Sequence, residues 1–143
     1  MEMTRVNLVP TQELYDQHLM AEYREIPMIN ASLKRSLNAV NFNPKKLSIP
    51  KEYVLGTGHV KFFYNKGEWL YKRYLLCIEE LLARNFNVDP ESRNIDWEVF
   101  KEYNLWLNNW EPSAKDIYLS RQRIAEKVAM KPNWYRKTEY ASS

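Results

Sequence analysis

A chain of 143 residues with one cysteine and three glycines fits one domain, residues 1–143, with about two-thirds of its unfolded surface available for burial. The single Cys77 excludes an internal disulfide and no apolar run reaches spanning length, so a soluble intracellular protein without a membrane partner is expected. The net charge of +3 is mild but uneven: residues 79–102 carry three basic against seven acidic side chains, and residues 115–137 seven basic against two acidic, which suggests one face turned to a polyanion.

Sparse glycine and long stretches without proline favour helices over sheets. Residues 1–12 have no helical period and include Pro10, which predicts an extended arm. A first helix is expected from residue 11 or 16 to about residue 38. Pro27 lies inside it and removes one backbone bond, so a bend is expected over residues 23–26, beside Glu25. On this helix His18, Glu22, Glu25 and Ile29 form one column, with Arg24 beside Glu25 and an apolar line of Leu19, Tyr23 and Ile26 next to it. Taken alone, the polar column reads as the solvated face of an amphipathic helix.

Residues 39–58 form a long connection with Pro44, Pro50, Gly56 and Gly58. Gly56-Thr57-Gly58-His59 is not a dinucleotide loop, because Lys61 stands at the third glycine position and no strand–turn–helix unit surrounds it. The glycines instead suit a turn with positive φ or a close backbone approach. A second helix is predicted from a capping box of Asn65 with Glu68, with Trp69, Leu70, Tyr74, Cys77, Ile78, Leu81 and Leu82 as its apolar face and an end near Asn85. Residues 86–112 read as an acidic, aromatic wrap with one short helix around residues 97–107, its tryptophans covering the core.

The third helix opens on a Ser113–Asp116 capping box and stops before Pro132. Ile117, Ile124 and Val128 point one way, and Ser120, Arg123 and Lys127 another. Arg123 and Lys127 are like charges at i, i+4, a cost of a few tenths of a kcal/mol that a phosphate between them would remove. Trp134-Tyr135-Arg136-Lys137 then interleaves aromatics with positive charge, suiting either a tail packed on the core or contact with duplex DNA. The fold class expected is all-α: a single compact domain of three main helices, with an extended N-terminal arm and irregular connections.

Two reactive readings follow from the first helix itself. His18, Glu22 and Glu25 have helical metal-ligand spacing, but the chain has two histidines, one cysteine and no second His-Glu pattern. A two-carboxylate hydrolase needs carboxylates across a cleft, whereas Glu22 and Glu25 are one turn apart on one helix.

Thr4-Arg5-Val6-Asn7-Leu8, followed by Asp16-Gln17-His18-Leu19-Met20-Ala21-Glu22-Tyr23-Arg24-Glu25, resembles the pyrimidine-dimer DNA glycosylases of the T-even phage endonuclease V type. The likeness continues through Gly56-Thr57-Gly58-His59-Val60-Lys61-Phe62-Phe63-Tyr64, then Arg123-Ile124-Ala125-Glu126-Lys127, then Pro132-Asn133-Trp134-Tyr135. The resemblance implies a DNA repair enzyme, a glycosylase and abasic-site lyase acting on cyclobutane pyrimidine dimers in double-stranded DNA, as a monomer and with no cofactor or metal. An N-terminal amine, by match that of Thr4, would attack the sugar, with Glu25 as the catalytic carboxylate. An α-amine suits the task, since it is roughly a tenth unprotonated at neutral pH, where lysine is below a thousandth. Arg5, Gln17, His18, Arg24, Arg123, Lys127, Trp134, Tyr135 and Arg136 would hold the DNA.

Two other readings use the same surface: excision of a different damaged or modified base, and a binding protein that has lost its amine. Three departures bear on the match. Met28 stands where the phage enzyme has an arginine, and the tail beyond Tyr135 holds only Tyr140 as a further aromatic. Met1-Glu2-Met3 precede Thr4, so the active form is expected to begin at Thr4.

Overall fold

A computed structural model describes residues 6–89 and 94–140, and among these there is no strand. Three long helices carry the fold: α1 (Asp16–Ala39), α3 (Gly67–Ala83) and α5 (Ala114–Met130), with two short ones, α2 (His59–Phe62) and α4 (Glu98–Glu102), in the connections. The all-α expectation with three main helices holds. Among the described residues no helix is long and apolar enough to cross a membrane.

Helix α1 packs against α3. Its apolar line is buried as its period requires: Leu19, Tyr23, Ile26, Ile29, Leu33 and Leu37 are each under 5% exposed. Each such side chain is worth about 1.5–3 kcal/mol of burial. Pro27 lies within α1, as read from the sequence. The polar column is not a solvated face, however: Glu22 and Glu25 are buried with the core residues.

Helix α3 departs from its expected start. The Asn65–Glu68 capping box does not form, and Lys66 occupies the cap position without a side-chain bond to the helix's first turn. The backbone of the 105–106 segment does the capping instead: Gly67 and Glu68 N–H groups donate to the Leu105 and Trp106 carbonyls, both at 3.0 Å. Asn65 instead accepts from the Lys66 ammonium, and Glu68 from Lys72. Gly67 fits this close approach, since a Cβ there would stand 2.6 Å from the Phe100 ring. The helix ends at Ala83, two residues before the expected end, and Asn85 follows with positive φ. Of the expected apolar face, Leu70, Tyr74, Cys77, Ile78 and Leu81 are buried and Trp69 is partly so. Leu82 is half exposed, because it lies about 100° round the helix from Leu81, off the buried stripe.

Helix α5 begins on the expected Ser113–Asp116 capping box, with both reciprocal bonds at 3.1 Å. It ends at Met130, before Pro132. The acidic wrap contains α4 and lays Trp97, Trp106 and Trp110 against the core, the covering role expected of them. Gly56 and Gly58 take the positive φ expected, 80° and 90°, in the turn that leads into α2.

Candidate active site

Residues 6–9 run without helix or strand through the interior; Val6, Asn7, Leu8 and Val9 are all 5% exposed or less. A buried segment without a ladder must find partners for its peptide groups elsewhere. Side chains from the surrounding elements supply them. Val6 N–H donates to His59 Nε2 at 3.3 Å, and Val6 C=O accepts from the Tyr53 hydroxyl at 3.2 Å. Asn7 N–H donates to Glu22 Oε1 at 2.9 Å, and Leu8 N–H to Ser120 Oγ at 2.9 Å. Val9 C=O accepts from Arg73 at 2.7 Å. The arm therefore lies where α1, α3, α5 and the loop into α2 converge.

Glu22 is the hub of this arrangement. It is fully buried and accepts from Asn7, from Arg73 through both Nε and an η nitrogen, and from the Cys77 thiol at 3.4 Å. Burial works against the Arg73 charge, but the Glu22 carboxylate outweighs it and raises the guanidinium pKa. Removing one member of such a pair strands the other charge, a loss of about 3–5 kcal/mol. Cys77 is the core residue expected, with its thiol pKa pushed well up by burial.

Glu25, one turn further along α1, faces a different environment. It is 5% exposed and lines a cleft of about 360 Å³ together with Met28, Arg35, Gly56, Lys61 and Tyr64. Arg24 beside it is exposed. Thr4 and Arg5 lie outside the described residues.

Five of the remaining expected residues, Gln17, His18, Trp134, Tyr135 and Arg136, gather at the start of α1. Both ends of the Gln17 amide hold the C-terminal tail: Nε2 donates to the Trp134 carbonyl at 2.7 Å and Oε1 accepts from Arg136 N–H at 3.0 Å. Tyr135 stacks on His18 with ring centroids 4.6 Å apart and planes 9° from parallel. Burial lowers the His18 pKa; Glu22 pulls it up and Lys127 pushes it down further. Asp16 fixes the tail beyond, accepting from Thr138 N–H at 3.0 Å and from its hydroxyl, and from Arg84 at 3.0 Å. Trp134 and the Arg136 side chain stay exposed. On α5, Lys127 is half-buried, whereas Arg123 is buried and has Glu126 at 3.8 Å.

His59, Tyr53, Arg73 and Ser120 were not singled out as site residues by the sequence reading, yet they hold the arm. One signal was present: Arg73 interrupts the apolar stripe of α3 one turn before Cys77, where a charge needs a buried partner. A second omission is Lys66, whose ammonium donates to the Phe62 carbonyl at 2.9 Å and to Asn65 at 2.8 Å. Burial brings its pKa down to about 8. Among the described residues no group of three His, Cys, Asp or Glu side chains is placed to hold a metal ion.

The described residues thus form an all-helical protein that holds an internal N-terminal arm against α1, the helix whose Glu25 lines a cleft. The model of the pyrimidine dimer DNA glycosylase family matches residues 3–94, more than half of the chain. The chain belongs to that family, whose members are DNA repair enzymes acting on pyrimidine dimers.

Proposed function

We propose that this protein is a bifunctional glycosylase and abasic-site lyase for cyclobutane pyrimidine dimers in duplex DNA, acting as a monomer through the α-amine of Thr4. The observation that carries the reading is the grip on residues 6–9, which begins two residues beyond Thr4 and adjoins the helix bearing Glu25. Two extended residues span about 7 Å. The amine attacks C1′ of the 5′ nucleotide of the dimer and the glycosidic bond breaks, its electrons leaving with the base. The ring-opened sugar forms an imine, a proton leaves C2′, and elimination breaks the bond to the 3′ phosphate. Glu25 stabilises the developing positive charge and assists proton transfer, by its charge and position. Glu22, saturated by Asn7, Arg73 and Cys77, is not available for that role.

The DNA is held by Arg5, Arg24, Arg123 and Lys127 through phosphates, and by the tail that Gln17 and His18 place: Trp134, Tyr135 and Arg136. Such contacts position a duplex without reading its sequence. A dimer is already poorly stacked, so kinking the duplex and flipping out a base cost less there than in undamaged DNA. Duplexes carrying one defined lesion test the reading by the position of the cut. Base release followed by a nick at the dimer is expected, and cutting only at another modified base would replace the assigned substrate.

The phosphate contacts have their own signature. Arg123→Ala and Lys127→Ala should each weaken binding to damaged and undamaged duplex alike. Each should lower the slope of log affinity against log salt by about one unit. Unchanged slopes in titrations at several salt concentrations would assign these side chains to the fold alone.

A further inference from the structure

The Val6 peptide is held at both of its polar groups by neighbouring aromatic side chains. A backbone N–H only donates and a carbonyl only accepts, so the bonds of His59 define one state of its ring. Nε2, accepting from Val6 at 3.3 Å, carries no proton; Nδ1, at 2.9 Å from the Val54 carbonyl, carries one. Only this neutral tautomer satisfies both contacts. Tyr53, edge-on to His59 with ring centroids 5.6 Å apart, donates to the Val6 carbonyl. Burial pushes the Tyr53 phenol pKa up and keeps it a donor.

We propose that His59 is a positioning residue for the amine: its neutral ring, with Tyr53, sets the peptide from which residues 4 and 5 extend, and protonation releases it. A proton on Nε2 would turn an N–H acceptor into an N–H facing an N–H, inside a site 1% exposed. Among the described residues, the charged groups that act on His59 and Tyr53 come from three helices. From α1, Glu22 favours protonation, but it is paired with Arg73 of α3; from α5, Asp116 acts on Tyr53. Burial outweighs the Val54 carbonyl and Glu22, which both favour the proton, and keeps His59 below its ordinary value of 6.5. The proposal rests on the imine reading above, and its test separates the two.

The test is the single-turnover rate of borohydride-trapped adduct formation on abasic-site duplex, measured between about pH 5 and 8, above the ordinary carboxylate range. Protonation of the attacking amine alone makes the rate fall about tenfold per pH unit below about 7.7. With His59 titrating as well, the limb should steepen towards about a hundredfold per unit, the break falling on the acid side of the ordinary histidine value because burial holds His59 down. His59→Gln keeps an acceptor for Val6 without a proton to gain, so its limb should stay at about tenfold per unit throughout. The other histidine is His18, and His18→Gln should retain the steep limb. A wild-type limb of only about tenfold per unit overturns the proposal without reference to any variant. Equal steepness in wild type and His59→Gln, or loss of the steep limb in His18→Gln, overturns it too. Failure to trap an adduct at any pH contradicts the imine reading itself.

Discussion

Glu25→Gln should abolish base release while leaving binding to dimer-containing duplex close to wild type. The substitution removes the charge and keeps the shape of a side chain that lines the cleft and is 5% exposed. If the carboxylate stabilises a cationic transition state, its loss should slow cleavage by about a thousandfold or more, some 4 kcal/mol. Glu22→Gln serves as the contrast. It weakens the pair with Arg73, so its main effect should be on the thermal unfolding midpoint. Cleavage by Glu25→Gln within about tenfold of wild type, only about 1.4 kcal/mol, would remove Glu25 from its assigned role.

The second large effect concerns the amine. A form whose first residue is Thr4 should be a far stronger lyase than one carrying Met1-Glu2-Met3 ahead of it. Three residues add about 10 Å of chain at roughly 3.3–3.6 Å each. Attack needs the nucleophile within about 3–3.5 Å of carbon, and misplacement by 1 Å can already cost about a hundredfold. The arm gives little room for slack, because residues 6–9 are fixed by five side chains. Intact mass identifies each form, and abasic-site cleavage rates compare them. A loss of about a hundredfold or more is expected in the longer form, and equal rates from two verified forms would require another nucleophile.

Much of this architecture was legible in the residues, for local reasons. The Ser113–Asp116 cap and the apolar period of α1 depend on neighbours within a few turns, and both stand as read. The start of α3 did not, because a tertiary interaction replaced a local one: the Leu105 and Trp106 carbonyls reach the first turn from 38 residues away. The column of His18, Glu22 and Glu25 illustrates the same limit. Helical spacing put them on one face, but spacing cannot tell a carboxylate tied to Arg73 from one facing a cleft. That distinction depends on α3 and on the loop at Gly56. The roles of His59, Tyr53 and Ser120 were hidden for a related reason, since each partner lies 47 to 112 residues away in sequence. The tail read as a DNA-contacting segment is also strapped to α1 through Asp16 and Gln17, a contact no local pattern announces.

The central claim is that the nucleophile is the amino terminus, and the most direct measurement is the location of the trapped adduct. An imine on abasic-site duplex, reduced with borohydride and digested, leaves a modified peptide that mass spectrometry can place. Modification of the Thr4 amine is the expected result. The rival positions are the lysines, above all Lys66, whose pKa is brought down to about 8 by burial, together with Lys61 and Lys127. An adduct on any of these would contradict the account.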